Sequence, residues 1–430
     1  MYDQRLDDLE TAYRERTPES RAAAERASEV FPGGDTRSVT YHPPYPSFVA
    51  EASGCTLTTN DGEELVDFLN NYTQAVLGHA PEGVVEAVQD RFARGNGLAA
   101  PTDEAVELGE RLVERVPSFD RLRFCNSGTE ATMNAIRAAR AHTGNERVLK
   151  VRGGYHGSHD TASVWVSGPG RENPGIPTAV EEGVEAVPYN DTEALKEAFA
   201  AHDDLACFVL EPFMGAGGTI PATPEYLETA RDLTDDHDAL LVFDEVVSFR
   251  LAHGGLQSQY GVEPDLTALG KLIGGGLPVG AFGGREDVMA LFHPEDGSIK
   301  HSGTFSANPA TMAGGIETLA AFDADVIAHI NDLGGTLRER LRATAADVNP
   351  DVPVTVTGKG SLFQIHLAEG PITHAEAAAE KSAASKRLFM AMRNEGIFMA
   401  PRGMGNLSTP MTETELDRFV DAFEAALGEL

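Results

Sequence analysis

The chain has 430 residues, of which 34 are basic and 67 acidic, giving a formal net charge of −33. A surface this negative repels nucleic-acid phosphates and anionic lipid, which argues against either as a main partner. With 41% hydrophobic residues and 20 Phe, the composition is that of a globular protein with a sizeable core, not of an acidic disordered tail.

Residues 1–30 read as polar helix and end at the turn Phe31-Pro32-Gly33-Gly34. Residues 48–69 alternate as hairpin strands do, with Asn60-Asp61-Gly62 as a turn signal. From about 80 to 320, short apolar runs alternate with amphipathic helical segments. Strands are predicted at Arg121–Cys125, Arg147–Lys150, Cys207–Leu210 and Ala239–Phe243. That rhythm predicts an α/β domain around a mostly parallel sheet. Beyond 320 the pattern gives a helix near 325–347, strands near 352–367, and helices over 376–394 and 413–428. The expected organisation is a large domain over 70–318 and a smaller α+β domain from 1–69 with 319–430. No internal repeat or low-complexity stretch interrupts it.

The three cysteines, Cys55, Cys125 and Cys207, are far apart and form no C-x-x-C pair, which argues against a disulfide framework or a zinc knuckle. The charged start has no apolar leader segment, and no run nears the roughly 20 apolar residues that span a bilayer. The expected location is the cytoplasm, without membrane attachment. Only seven basic residues are Lys, so the chain is both acidic and Lys-poor. Self-repulsion on that scale needs screening, and the expectation is a protein adapted to high salt.

Three segments carry candidate chemistry. Phe124-Cys125-Asn126-Ser127-Gly128-Thr129-Glu130-Ala131 runs from a strand into a helix of small residues. Free N–H groups, hydroxyls and the positive end of the helix dipole meet there, which suits a phosphate; an ordinary N-cap is the plainer reading. Ala239–Val246 is a buried strand that delivers Asp244 and Glu245 at its C-terminal end, where open α/β sheets bind ligands. Two acids there could hold Mg²⁺ or pair with a protonated ring nitrogen, but the chain has no G-x-x-x-x-G-K-[ST] loop. Leu269–Gly276 sets Lys271 among apolar residues and glycines. Desolvation there lowers an amine's pKa and suits Schiff-base chemistry. Tyr155-His156-Gly157 adds an aromatic able to stack on a ring, while His156-x-x-His159-Asp160 lacks the further ligands of a metal site. A phosphate cradle, a carboxylate for a pyridinium and a buried Lys for an aldehyde are together the requirements of pyridoxal phosphate.

The chain resembles the class III aminotransferases of pyridoxal-phosphate fold type I. The likeness runs nearly full length through NSGTEA at 126–131, GGYHG at 153–157, EP at 211–212, DEV at 244–246, LGKLIGGGLPVGAFGG at 269–284 and GTFSANP at 303–309. The resemblance implies that Lys271 forms the Schiff base and shuttles the substrate proton. It implies that Asp244 keeps the pyridine nitrogen protonated, that Val246 packs beneath the ring and that Tyr155 packs over it. Ser127, Gly128 and Thr129 would hold the phosphate, and Glu211 would lie on the ring O3′ side. Thr304 would reach across from a second subunit, which implies at least a homodimer. Pyridoxamine phosphate would be the amino-loaded form of the cofactor.

Two enzyme readings diverge on local detail. The Lys271 segment is strongly similar to glutamate-1-semialdehyde 2,1-aminomutases. PGGDTRSVTYHPPYP, DEVVSFRLAHGGLQ and MAPRGMGNLSTPMT instead resemble β-phenylalanine-type aminotransferases. In those, two arginines receive substrate carboxylates, and the motif carries these roles to Arg37 and Arg402. A bidentate guanidinium–carboxylate contact is worth about 1.5–3 kcal/mol, enough to select acids over plain amines. The expectation is an aminotransferase for an amino acid, with a β-amino acid as donor and a 2-oxo acid as acceptor. The alternatives are the aminomutase and a non-catalytic binding protein of the same fold, the latter disfavoured because Lys271 and Asp244 are both present.

Overall fold

The computed structural model describes residues 3–166, 174–378 and 383–430. The chain divides into two compact units, one of Met1–Pro81, His329–Pro371 and Glu380–Leu430, the other of Glu82–Ala328 and Ile372–Ala379.

The second unit is built on a seven-stranded sheet. Its spatial order is Arg121–Cys125, Gly280–Gly284, Leu266–Gly270, Leu240–Asp244, Leu205–Leu210, Arg147–Val151 and Val184–Val187. Only Gly280–Gly284 runs antiparallel to its neighbours. Leu205–Leu210, Leu240–Asp244 and Leu266–Gly270 are buried at every residue, the near-continuous apolar run of strands covered on both faces. The helix Gly128–Thr143 contributes Ala131, Ala135, Ala138 and Ala139 to the core over that sheet. Its small residues allow close approach of helix to strands. The strand Gly280–Gly284 has no β-branched residue and was not among the predicted strands. Its glycines are demanded by crowding: a Cβ on Gly284 would lie 2.0 Å from the Asp265 carbonyl oxygen.

The first unit holds a four-stranded sheet of Val49–Ser53, Thr56–Thr59, Glu64–Asp67 and Ile397–Phe398. A three-stranded antiparallel sheet joins Thr355–Thr357, Leu362–His366 and Met404–Asn406. Phe68, Phe363 and Phe419 pack edge-on in its core. The expected single helix over 1–30 is two, Gln4–Arg16 and Pro18–Val30. Pro18 has no N–H to continue the first helix and starts the second. Asp61, from the predicted Asn-Asp-Gly turn, accepts hydrogen bonds from the N–H groups of Glu19 and Ser20 and so caps that second helix from a distance. The helix expected over 376–394 covers Ala383–Asn394 among the described residues, with 379–382 outside them. No helix among the described residues is long and apolar enough to cross a membrane.

Candidate active site

Parallel strands of the second unit end at one edge of the sheet, and each hands a candidate residue to that edge. Arg121–Cys125 leads to Ser127, Gly128 and Thr129; Arg147–Val151 leads to Tyr155 and His156. Leu205–Leu210 is followed by Glu211, Leu240–Asp244 ends in Asp244, and Leu266–Gly270 is followed by Lys271. This is the end of a parallel sheet at which α/β proteins place ligands.

The helix Gly128–Thr143 begins at this edge. Ser127 is its N-cap, and its hydroxyl accepts from the Glu130 N–H at 3.1 Å. A Cβ on Gly128 would lie 3.0 Å from Val246 Cγ2, so Val246 would have to give by a few tenths of an ångström. Gly157 (φ 94°) approaches Thr129 so closely that a Cβ would sit 2.5 Å from its Oγ1. The Thr132 hydroxyl donates to the His156 carbonyl at 2.6 Å. The loop carrying Tyr155 and His156 is thereby laid against the helix start.

Asp244 is buried, and its carboxylate takes two hydrogen bonds, from His156 Nδ1 at 2.9 Å and from the Val246 N–H at 3.0 Å. Since a carboxylate accepts, the imidazole proton sits on Nδ1. Burial pushes the His156 pKa down, with the bond to Asp244 opposing it, so the ring is neutral at neutral pH. Its Nε2 is buried without a hydrogen-bond partner. Glu245, the neighbouring acid, is committed to structure. Its oxygens accept from the Ser248 hydroxyl, the N–H groups of Leu256 and Gln257 and the Gln257 side-chain amide. Glu245 is thereby taken up, so of the two acids considered from sequence Asp244 is the one left as a candidate.

Glu211 is buried and accepts from the Tyr155 N–H at 3.2 Å and the Gly215 N–H at 2.9 Å. Burial, and then the charge of Asp244, push its carboxyl up to about 8. Lys271 is half-buried and adopts φ 55° where the strand turns into a helical turn, Lys271–Gly274. Tyr155 is 48% exposed, and Thr304 and Phe305 lie on an exposed loop.

Sequence reading passed over two contributors. His156 stood only in a rejected metal pattern, and no group of three potential metal ligands exists among the described residues. Lys150 went unremarked in a strand. Strand register pairs Lys150 with Val209 and Val209 with Val242, so Lys150, Glu211 and Asp244 share one face of the sheet. Its ammonium is buried and donates to the Ala162 carbonyl at 2.7 Å. Burial pushes its pKa down to about 7, against the pull of Glu211 and Asp244. Its signal was present in the sequence as a Lys inside an apolar run.

The other two candidates lie in the first unit. Arg37 Nη1 donates to the Asn71 side-chain oxygen at 3.0 Å. The Arg402 guanidinium lies 5.9 Å from the centroid of the Tyr72 ring, and its Nη2 contacts Met404 Sδ at 3.2 Å. Both guanidiniums are exposed, and they meet consecutive residues of one turn.

Comparison with known proteins decides the family. The profile of "Aminotransferase class-III" matches residues 37–427. The chain belongs to the class III aminotransferases. Its members are pyridoxal-phosphate enzymes, and the architecture is that of fold type I. This aminotransferase is 41% identical over 383 residues to a glutamate-1-semialdehyde 2,1-aminomutase of Methanothermobacter thermautotrophicus, covering 87% of this chain and 90% of that one. It is 38% identical over 429 residues to a β-phenylalanine transaminase of Variovorax paradoxus, covering 99% and 96%. An omega-transaminase structure from Sphaerobacter thermophilus superposes with a TM-score of 0.92 at 41% identity, over 95% of this chain and 97% of that one.

Proposed function

We propose that this class III aminotransferase takes its amino group from a β-amino acid and gives it to a 2-oxo acid. The observation that carries the reading is the gathering of Arg37 and Arg402 on Asn71 and Tyr72, adjacent residues of one turn. A β-amino acid and a 2-oxo acid hold their carboxylates at different distances from the reacting atom. Two cation positions let one site accept both.

The residues of the second unit fit the cofactor. A helix start capped by Ser127, a buried acid with an imidazole partner, and a Lys at a strand end are what a phosphate, a pyridinium and an aldehyde need. Pyridoxal phosphate, when bound, supplies an aldehyde that condenses with amines and a protonated ring that draws electrons from the adjacent carbon. Ser127, Gly128 and Thr129 would hold the phosphate at the helix start. Asp244 would hold a proton on the ring nitrogen. His156, donating through Nδ1, orients that carboxylate. Val246 would support one ring face and Tyr155 the other. Glu211, whose carboxyl burial pushes up, would lie on the O3′ side. Lys271 Nζ would hold the aldehyde carbon, then take and return the substrate proton. Thr304, exposed on its loop, would complete the phosphate site of a second copy, making the enzyme a homodimer. Three free cysteines are in keeping with a cytoplasmic location.

The second reading, glutamate-1-semialdehyde 2,1-aminomutase, is favoured by the 41% identity to a relative of that name. The pyridoxal-phosphate form, incubated separately with β-amino acids, α-amino acids and glutamate semialdehyde, separates the two. Conversion of the cofactor's absorption by β-amino acids and its return with a 2-oxo acid is the expected result. Turnover of glutamate semialdehyde with no response to β-amino acids would establish the aminomutase instead.

A further inference from the structure

The strand Arg147–Val151 is buried from Val148 onward, yet Lys150, 1% exposed, stands in it between Leu149 and Val151. An aliphatic side chain would suit that place. An ammonium taken out of water is unfavourable unless it is hydrogen-bonded and faced by opposite charge. Lys150 has both: Nζ donates to the Ala162 carbonyl at 2.7 Å, and Glu211 and Asp244, on the same face of the sheet, attract its charge.

The chain that leaves this strand forms a closed loop. The Gly153 N–H donates to the Trp165 carbonyl at 2.9 Å, so the two ends of residues 153–165 meet, and the Arg152 guanidinium lies 5.4 Å from the centroid of the Trp165 ring. Trp165 has φ 64°, a left-handed conformation that a bulky residue keeps only where its surroundings impose it. The outgoing half of the loop is tied to the candidate site. There the Tyr155 N–H donates to Glu211, the His156 carbonyl accepts from Thr132, His156 Nδ1 donates to Asp244, and the Ser158 N–H donates to Thr129 Oγ1 at 3.4 Å. In the returning half, Asp160–Ser163 makes one helical turn, and the Lys150 ammonium holds a carbonyl of that turn.

We infer that Lys150 is a positioning residue for the cofactor: its buried ammonium fastens the returning half of the loop 153–165 and so fixes where the outgoing half presents Tyr155 and His156. The inference rests on the cofactor roles proposed above for Tyr155 and Asp244. A compact loop closed at its base keeps its shape by what packs inside it, and here that includes an ammonium from the strand that begins the loop. With an apolar side chain at position 150, the Ala162 carbonyl would lose the partner it has here. A buried carbonyl without a partner is unfavourable, so the turn would shift toward water and take the loop with it.

Trp165 is the one Trp of the chain, so its fluorescence reads this loop directly. The test compares three proteins with pyridoxal phosphate bound: the wild type; Lys150→Met, which keeps the length and removes the donor; and Lys150→Gln, which keeps an N–H donor without the charge. In Lys150→Met, acrylamide quenching of Trp165 should rise and the circular dichroism of the cofactor's visible band should fall. The cofactor should bind to it about tenfold more weakly. Lys150→Gln should return all three readouts toward wild type. Wild-type quenching, dichroism and affinity in a folded Lys150→Met would overturn the inference, even with a lowered melting temperature, because that combination marks a residue serving stability alone. If Lys150→Met does not fold, Lys150→Gln carries the test: wild-type readouts would support the hydrogen-bond role, and a folded variant with Trp165 more accessible would overturn it. Asp244→Asn separates this inference from the reading beneath it. Wild-type dichroism and affinity in Asp244→Asn would overturn the cofactor assignment itself, whereas their loss there, beside an unchanged Lys150→Met, would overturn the role of Lys150 alone.

Discussion

Lys271 joins a fully buried strand to a tight helical turn in a left-handed conformation, a geometry that a surface lysine has no reason to adopt. Borohydride reduction of the holoenzyme and peptide mapping are expected to find the pyridoxyl group on Lys271. An adduct on Lys150 or Lys300 would refute the assignment. Lys150 is the informative competitor, because it too is a buried amine on the same sheet face. Glu211, on that same sheet face, gives a second prediction, on pH. Its folded pKa of about 8 lies above its ordinary value of 4.5, so between those values the folded state binds a proton that the unfolded chain has released. The Glu211 contribution to stability is thus fully present below about 4.5 and is lost as pH rises toward 8, by about 1.4 kcal/mol per pH unit at most. Denaturant melts of wild type and Glu211→Gln should show the wild type losing ground to the variant from pH 5 to pH 8. A pH-independent difference would mean that Glu211 is ionised throughout.

At the scale of elements, the helix start proposed to hold the phosphate depends on how closely the antiparallel strand Gly280–Gly284 approaches the helix Gly128–Thr143. A Cβ on Gly280 would lie 2.1 Å from the Ser127 carbonyl oxygen and 2.7 Å from Cys125 Sγ. Backbone cannot yield there as a flexible side chain would. Gly280→Ala is expected to cost about 2–3 kcal/mol in denaturant melts and to weaken cofactor binding, since relief must move Ser127. Gly97→Ala, where a Cβ meets nothing within 4 Å, serves as the control and should leave both unchanged. Equal behaviour of the two variants would show that the helix start has slack.

Across the whole molecule, the excess of acidic side chains sets how stability responds to the solvent. With a net charge of −33, we infer that stability rises as salt is added, because like charges repel across the surface and the screening length falls to about 3 Å at 1 M. Melting temperatures from about 0.1 M to above 1 M KCl should climb steadily; a flat or falling series would show that the acidity is no salt adaptation.

How much of this was legible in sequence varies with the range of the interaction. The predicted strands Arg121–Cys125, Arg147–Lys150, Cys207–Leu210 and Ala239–Phe243 all appear, to within a residue or two at their ends, because a buried parallel strand declares itself as a short apolar run. Gly280–Gly284 did not, because its five residues include three glycines and its strand character comes from the two neighbours that pair with it. Lys271, Asp244 and the Ser-Gly-Thr helix start could be singled out as candidates because each sits in an unusual local setting. Local order along the chain thus determined the α/β class, the family and the candidate cofactor residues. The tertiary structure alone decided that Glu245 is taken up by structural hydrogen bonds while Asp244 pairs with His156, and that Lys150 lies on the same sheet face as Asp244 and Glu211. It alone brought two distant arginines to one turn at Asn71 and Tyr72. Each of those outcomes depends on hydrogen bonds and charge between residues tens to hundreds of positions apart, which no local pattern encodes.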